Sequence, residues 1–581
     1  MARTRSLFAL SCLLFLSQNY LQAFRGLSTF IPRSQGVDGA RDILSWIQYI
    51  QDEEGAGISG LLMLRPKYAH SFQANTITNY FMNNPTLAFS GSRVANRGSD
   101  DILADYFGLP SDYQSNVTLC PSISTTQFDI SLYTKLWSCE YESWFQELYF
   151  FTQLPIVHAT WNLNLQENVI NAGSNFQPAG YMGKGDKRIL RSQLVTDVKT
   201  SLQGTTTFGD MLEPLRYGKV NGALCCTDVA DLTLELAWHI ASYTQKHFEL
   251  SAFLTIPTGT RPTGSFLFEP QIGNGHHWEL GATASFYLPL RREREDNCSS
   301  FGIALYGRVG HLFASCQKRS FDLTPNGRGS RYMLLETIGT AVDDIVQIPA
   351  GSPLTQQYLG LLVPAVNVTT LDCSIKIGVQ GEFAAVFVYE NSCWQLDVGY
   401  NAWGRSNEIL TSRQQFPSDR FGVKGDASLY GFVIGVPYYL GLNATQSMAT
   451  LHAGQGTGNT NFANLNADNA APAGGGLQQL VPADAAALNI PITAAGGSNP
   501  PILLTDANID VLSALSPSAL SNKLFVQGLL AFGENVCLQG HIGLGGELEF
   551  TTRTNKFFAD TNNIAGGASQ WGIWLWFDIS Y

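Results

Sequence analysis

The sequence predicts an all-β fold: a transmembrane, antiparallel, up-and-down β-barrel of about 14–16 strands, each about ten residues long. Three observations support this. Apolar and polar residues alternate along many segments of the chain. The best segments run about ten residues or more, the length that a tilted strand needs to cross a bilayer. Charged residues make up only 14% of the 581 residues, against roughly 25% in soluble domains.

The clearest alternation is a hairpin between Ile377 and Trp403, with a turn at 390–393. One face of each arm is apolar and aromatic, as expected of a surface against lipid. A soluble β-sandwich would show the same alternation, but strand length favours the membrane. The opposite face is predicted to line a water-filled pore and contains Lys376, Gln380, Glu382, Gln395, Asp397 and Asn401.

Two other segments extend this polar lining. Gly60–Phe72 is predicted as the first strand, and 537–550 as a strand near the end of the chain. Their predicted pore-lining residues are Arg65, Lys67, Gln539, His541, Glu547 and Glu549. Glu547 and Glu549 share a face, as paired catalytic carboxylates can, but His541 on that face favours pore lining. No catalytic residue and no enzyme activity is predicted.

The last strand alternates up to the terminal aromatic residue, with Asp578 and Ser580 on its polar face. A strand that stops at an aromatic carboxyl terminus resembles the closing strand of Gram-negative outer-membrane β-barrels. The resemblance implies that this strand is read by the barrel-assembly machinery and pairs with the first strand. The lipid-facing residues of this assembly signal are Ile573, Leu575, Phe577, Ile579 and Tyr581.

Short segments elsewhere resemble poorly characterised outer-membrane proteins of intracellular and environmental Gram-negative bacteria. They include Phe30–Gln35, Asp105–Pro110, Gly273–Gly281 and Ser569–Leu575. The resemblance implies an outer-membrane location and a porin-like barrel. It implies no substrate and no catalytic residue.

The amino-terminal part divides into two segments before the barrel at 59–581. Residues 1–23 have the basic start and apolar run of a signal peptide, with cleavage expected near Ala23. Residues 24–58 contain an amphipathic helix at 37–52. We interpret this helix as packed on the rim of the barrel; the alternative is a periplasmic or pore-plugging helix.

The long insertion 441–500 contains no lysine or arginine and is rich in Ala, Asn and Gly. It is predicted to be a loosely folded extracellular loop that folds into the pore, mediates adhesion or has no defined role. Two further strands are predicted around it, at 423–436 and near 501–520.

Charge and cysteine content exclude several classes of function. The net charge of −12 argues against nucleic acid as a partner. Nine of the ten cysteines follow the signal peptide, an odd number whose disulfide pairing the sequence leaves open. No CxxC spacing occurs, and the adjacent His276 and His277 suit a turn better than a metal site. No metal and no cofactor is predicted.

The predicted function is passive diffusion of small hydrophilic solutes through an outer-membrane pore with weak ion selectivity. The alternative is a barrel that anchors adhesive or interaction loops at the cell surface. Expected partners are outer-membrane lipid, the barrel-assembly machinery and the solutes, with a homo-oligomer as an alternative to a single chain.

Overall fold

The structure is a computed structural model with side chains. It describes residues 33, 36, 38–56, 59–81, 85–95, 97–138, 147–177, 181–183, 189, 191–241, 247–292, 299–339, 357–391, 393–425, 431–433, 436–440, 445–452, 502–532, 539–551 and 568–581. The predicted signal peptide, most of the insertion 441–500 and the side chain of Gln539 lie outside the described part.

Twelve long strands form one antiparallel sheet in chain order. They are β1 (Gly60–Phe72), β2 (Ser122–Ser138), β3 (Glu147–Asn162), β4 (Leu232–Ala241), β5 (His247–Ile256), β6 (Glu279–Arg292), β7 (Ser300–Ser320), β8 (Thr370–Asn391), β9 (Trp394–Arg405), β10 (Ala519–Phe532), β11 (Gln539–Thr551) and β12 (Ser569–Ser580).

The sheet closes on itself, because the last strand, β12, pairs with the first, β1, in the register Leu61↔Ser580 to Phe72↔Ser569. This confirms the all-β barrel and the pairing implied for the closing strand. The predicted 14–16 strands are too many. The segment around 423–436 contributes a short strand, Phe421–Val423, to a separate small sheet outside the ring. Apolar alternation marks any half-buried strand, so it does not separate barrel strands from others.

The outward face of the ring is a band of exposed apolar side chains. A closed ring has no unpaired edge, so such a surface can face lipid with its backbone fully hydrogen-bonded. The band includes Leu62, Tyr68, Phe128, Leu250, Phe383, Val398, Leu524, Leu544, Ile573, Leu575 and Phe577. None of the described helices is long and apolar enough to span a membrane.

The connections at the two ends of the barrel differ in length. At one end they are short, from 392–393 between β8 and β9 to 139–146 between β2 and β3. At the other end the connections are longer, and the longest, between β9 and β10, comprises residues 406–518. Outer-membrane barrels show this asymmetry, with short periplasmic turns and long extracellular loops.

The long connections fold into a cap with its own apolar core, in which Phe107, Trp161 and Leu335 are buried. Its strands are Thr86–Ser90, Ile102–Leu103, Gln114–Leu119, Leu165–Asn171, Ala223–Val229, Asp322–Leu323, Leu334–Gly339, Gln357–Pro364, Glu408–Arg413, Phe421–Val423, Gly431–Val433, Val436–Leu440 and Ile509–Asp510. Its helices are Ala74–Phe81, Ala104–Phe107, Arg191–Gln193, Val198–Leu202, Thr324–Asn326, Ser330–Tyr332, Val366–Thr369, Asp506–Asn508 and Val511–Ala514.

The amphipathic helix, α1 (Gly39–Ala56), lies inside the ring. It contacts strands on all sides of the barrel, among them β1, β3, β5, β8 and β11. The preferred interpretation of a helix on the rim is therefore wrong. Ile43, Ile47 and Ile50, expected to face one surface, are fully buried along with most of the helix.

Dimensions explain why one helix fills the lumen. Twelve strands about 4.8 Å apart and tilted about 40° form a ring roughly 24 Å across. Inward side chains occupy about 5 Å on each side. The remaining width of about 14 Å is close to the 10–12 Å diameter of a helix with its side chains.

Candidate functional site: the plugged lumen

The predicted pore-lining residues converge on α1. Their described side chains are buried inside the ring, with the exceptions of Lys376, treated below, and of His541 and Gln380, which are partly exposed. The buried set comprises Arg65, Lys67, Glu382, Gln395, Asp397, Asn401, Glu547 and Glu549. Their part in an open pore stays a prediction, because in this structure the helix occupies the space they surround.

Arg33 anchors the chain just before the helix. Its guanidinium donates to Glu382 Oε1 at 2.7 Å, to Glu549 Oε1 at 2.8 Å and to Asn401 Oδ1 at 3.2 Å. It also lies over the ring of Trp403, 5.7 Å from the centroid. A planar fork with five donors suits this bridging of three strands, β8, β9 and β11.

Asp38 precedes the first residue of α1 and holds the helix electrostatically. Its Oδ1 accepts from the backbone N–H of Ala40 at 3.1 Å, while Oδ2 accepts from Lys523 Nζ and lies 3.8 Å from Lys67 Nζ. The backbone N–H of Gly39 donates to Glu382 Oε2 at 3.0 Å. Carboxylates therefore meet the first N–H groups of the helix, where the macrodipole favours negative charge.

Ion pairs continue around the amino-terminal half of the helix. Arg41 Nη1 lies 2.9 Å from Asp129 Oδ2 on β2, and Asp42 lies 3.7 Å from Arg308 on β7. From β1, Arg65 donates to the backbone oxygen of Arg41 at 2.8 Å. On the wall itself, Lys67 Nζ donates to Glu547 at 2.5 Å.

The middle of the helix packs mainly through large side chains. Tyr49 stacks on Tyr133 at 4.9 Å between ring centroids and meets Tyr149 at 5.0 Å. Trp46 is 2% exposed and donates its indole N–H to Glu249 Oε2 at 2.6 Å. These contacts combine apolar burial with a satisfied buried donor.

The carboxyl end of the helix reaches the end of the barrel with the short turns. Gln51 Nε2 donates to Glu390 Oε2 at 3.1 Å, next to the turn between β8 and β9. The amide of Gln48 donates to Asp52 Oδ1 and lies 3.0 Å from His541 Nδ1 on β11. His541 in turn lies 3.0 Å from Asp578 Oδ1. The amino end of α1 therefore lies toward the cap.

Lys376 lies on the outward face, contrary to the prediction. Residues Gly310 to Leu312 of β7 pair with Gln380 to Ile377 of β8, so β8 carries one extra residue there. Such a bulge exchanges the two faces of a strand. Beyond it the odd-numbered residues of β8 are buried; Ile377 is 1% exposed, whereas Val379 is 42% exposed.

A small cavity beside Arg33 opens partly to solvent. It is lined by Arg33, Asn274, Glu279, Arg308, Gln380, Gly381, Glu382 and Trp403. Sequence reasoning placed Gln380 and Glu382 in the lumen. It missed Arg33, Asp38 and Arg308. Arg308 shares a face of β7 with Tyr306 and Gly310, and Asp38 stands at the start of the predicted helix, so both carry a signal. Arg33 precedes the barrel and carries none.

In the cap, Asp231 fixes the connection between β5 and β6. It is fully buried and accepts from the backbone N–H groups of Gly259 at 3.2 Å and Asn274 at 2.5 Å. Burial raises the pKa of Asp231 to about 7.

His277 is also buried in the cap, and its burial lowers the pKa of the imidazole to about 4. His277 Nδ1 lies 2.7 Å from the backbone oxygen of Phe313 on β7.

Five of the described cysteines are free thiols: Cys120, Cys225, Cys226, Cys316 and Cys373.

Comparison with known proteins gives distant structural likenesses. No family model matches the sequence, and no curated protein matches it. An outer membrane channel from Pseudomonas putida F1 is similar with a TM-score of 0.32 and 8% identity, over 90% of this chain and 96% of that chain.

Two other solved structures show the same kind of likeness. The transport unit of the autotransporter AIDA-I from Escherichia coli has a TM-score of 0.27 and 6% identity, over 93% of this chain and 98% of that chain. A Pseudomonas aeruginosa FadL homologue has a TM-score of 0.24 and 7% identity, over 90% of each chain. At these TM-scores the likenesses carry no argument, and the barrel rests on its own strand pairing.

Proposed function

We propose that this protein is an outer-membrane channel for small hydrophilic solutes, closed in this structure by α1. The observation that carries the proposal is the charged wall of the lumen, with Arg65, Lys67, Lys523, Glu547 and Glu549 all facing inward and buried. A wall of this kind suits a lumen that holds water in another state.

The way α1 is held favours closure that can be reversed. Replacing a buried ion pair by apolar residues is often neutral or stabilising, so ion pairs are a poor means of making a permanent core. Here Asp38, Arg41 and Asp42 each face a partner of opposite charge on the wall. When the helix leaves, water can solvate both sides, which lowers the cost of separating them.

The free lumen is wide enough for the proposed solutes. Without the helix, roughly 14 Å remains between the inward side chains of a twelve-stranded ring. Both acidic and basic side chains line that wall, so the selectivity between small ions is expected to be weak.

Conductance in planar bilayers tests the proposal. We expect rare openings for the complete chain and a steady, severalfold larger conductance for a variant that lacks residues 33–56. A variant that lacks residues 453–500 retains α1 and serves as the control, with conductance like that of the complete chain. The proposal fails if the variant without α1 folds, as shown by heat-modifiable migration, yet leaves the bilayer impermeable.

A second candidate function is an anchor for surface interactions, and the cap supports it. The cap has an apolar core of its own, to which Ala449 and Leu451 from the start of the long insertion contribute. A deletion that tests this function should therefore spare 445–452 and remove 453–500. Loss of attachment to host or neighbouring cells, with conductance unchanged, would favour the anchor.

Location and assembly follow from the same barrel. We propose that the apolar band contacts outer-membrane lipid and that β12 is recognised by the barrel-assembly machinery. Its residues Ile573, Leu575, Phe577, Ile579 and Tyr581 are between 38% and 52% exposed on the outward face. They are therefore accessible to both partners.

A further inference from the structure

Three side chains meet where the carboxyl end of α1 reaches the barrel wall. Asp52 comes from the helix, His541 from β11 and Asp578 from β12, and a ligand atom of each lies within 4.8 Å of the other two. Ligands about 2.1 Å from a tetrahedral zinc ion are about 3.4 Å apart. Side-chain movements of an ångström or less would bring these three atoms into that geometry.

The carboxylates at this end of the helix face fewer cations than the carboxylate at the other end. Among the described residues, no lysine or arginine lies within 4.0 Å of a carboxylate oxygen of Asp52 or Asp578, and His541 is the one basic partner of Asp578. At the other end of α1, Asp38 faces Lys523, Lys67 and Arg33. The two ends of the helix therefore differ. Asp38 faces three cations, whereas Asp578 has His541 and the indole N–H of Trp576 as partners and Asp52 has no cation within 4.0 Å among the described residues.

A second observation points to a ligand. Asp52 is only 9% exposed, and its Oδ2 is buried without a hydrogen-bond partner. An orphaned carboxylate oxygen in a nine-tenths buried side chain is costly unless a cation or a donor meets it.

Gln48 supplies a fourth donor atom at the same place. Its Nε2 lies 3.0 Å from both Asp52 Oδ1 and His541 Nδ1, while its Oε1 is buried and unpartnered. The two ends of an amide are exchanged by a simple flip. After the flip, Oε1 would face the carboxylate and the imidazole, an arrangement that a cation between them stabilises.

We propose that Asp52, His541 and Asp578, with Gln48, form a binding site for a divalent transition-metal ion such as Zn²⁺. One nitrogen and several carboxylate or carbonyl oxygens suit Zn²⁺ better than Mg²⁺ or Ca²⁺, which prefer oxygen alone. The bound ion ties α1 to β11 and β12. Its effect on closure rests on the proposed channel function, whereas the binding itself does not.

Metal binding to the complete folded protein tests the site. After removal of metal with a chelator, we expect one Zn²⁺ per chain by equilibrium dialysis. Asp52→Asn and His541→Gln should each weaken binding at least tenfold. His158→Ala removes an exposed imidazole on β3 and should bind like the wild type. Heat-modifiable migration shows that each variant is folded.

The outcomes separate the site from the channel. Binding of Zn²⁺ that is unchanged in both Asp52→Asn and His541→Gln would overturn the site, as would the absence of binding. Equal displacement by Mg²⁺ would overturn the choice of metal. If the channel function holds, Zn²⁺ should also lower the opening frequency of the wild type and leave His541→Gln unaffected. Binding without conductance would support the site and count against the channel.

Discussion

At the residue scale, Asp38 has two separable tasks. It caps the first turn of α1, and it carries the negative charge that Lys523, Lys67 and Arg33 face. Asparagine is as good a cap as aspartate, so a change to asparagine removes the charge and keeps the cap. The two tasks can thus be tested apart.

We predict that Asp38→Asn loosens α1 by about 3 kcal/mol, because removal of one partner leaves buried charges uncompensated. Hydrogen exchange should show about a hundredfold loss of protection in the helix. The matched control is Asp372→Asn, since Asp372 is 66% exposed and pairs with Lys318 at 3.1 Å. An exposed pair contributes about 0–1 kcal/mol. Equal protection in the two variants would contradict the role of Asp38.

The stability of the cap is predicted to depend on pH through Asp231. Its pKa is about 7 when buried and about 4 in an unfolded chain. Between these values the native state holds the additional proton, so stability is highest below about pH 4 and falls as the pH rises toward 7. The opening free energy of residues 257–278, measured by hydrogen exchange, should fall by a few kcal/mol over this range. Asp231→Asn should remove this dependence on pH. If the opening free energy still falls with rising pH in this variant, the dependence belongs to another group.

At the scale of the element, β12 closes the ring through its backbone and its outward face. The backbone oxygen of Tyr581 accepts from the N–H groups of Ser59 at 2.6 Å and Gly60 at 3.0 Å. Phe577 is 38% exposed on the outward face. The strand therefore joins both termini of the barrel and contributes to the apolar band.

We predict that Phe577→Lys reduces the folded, heat-modifiable fraction in the outer membrane severalfold. A lysine on the lipid face costs up to about 2–4 kcal/mol. Phe577→Leu keeps an apolar side chain and should assemble normally. Normal assembly of the lysine variant would show that this face does not meet lipid.

The helix α1 shows what a sequence pattern leaves undecided. Ile43, Ile47 and Ile50 predict a helix with an apolar face, and the helix is present. The same pattern fits packing on a rim or inside a lumen. The position inside the lumen is determined by contacts of Trp46 and Asp42 with Glu249 and Arg308, which come from distant strands.

At the scale of the whole molecule, the barrel is polarised. Long connections and the amino end of α1 lie at one end, and the short turns lie at the other. An epitope inserted within 453–500 should bind antibody on intact cells. An epitope inserted within 533–538, between β10 and β11, should bind only after the outer membrane is permeabilised. The reverse pattern would invert the orientation of the barrel.

The sequence by itself determined the local features of the barrel. Alternation with period two gave the bounds of β1 and the faces of β9, β11 and β12, since each side chain has only two directions available. Lys376 was misplaced, because a bulge in β8 exchanges the faces without changing the alternation on either side.

Only the tertiary structure decided the strand number, the cap and the position of α1. Whether a strand joins the ring depends on backbone pairing with distant residues. The alternation of apolar and polar residues does not encode that pairing. Whether the lumen is open depends on the match between its width and that of one helix. Glu549 lies 516 residues from Arg33 in the sequence, and Lys523 lies 485 residues from Asp38. Closure of the ring brings these charges together.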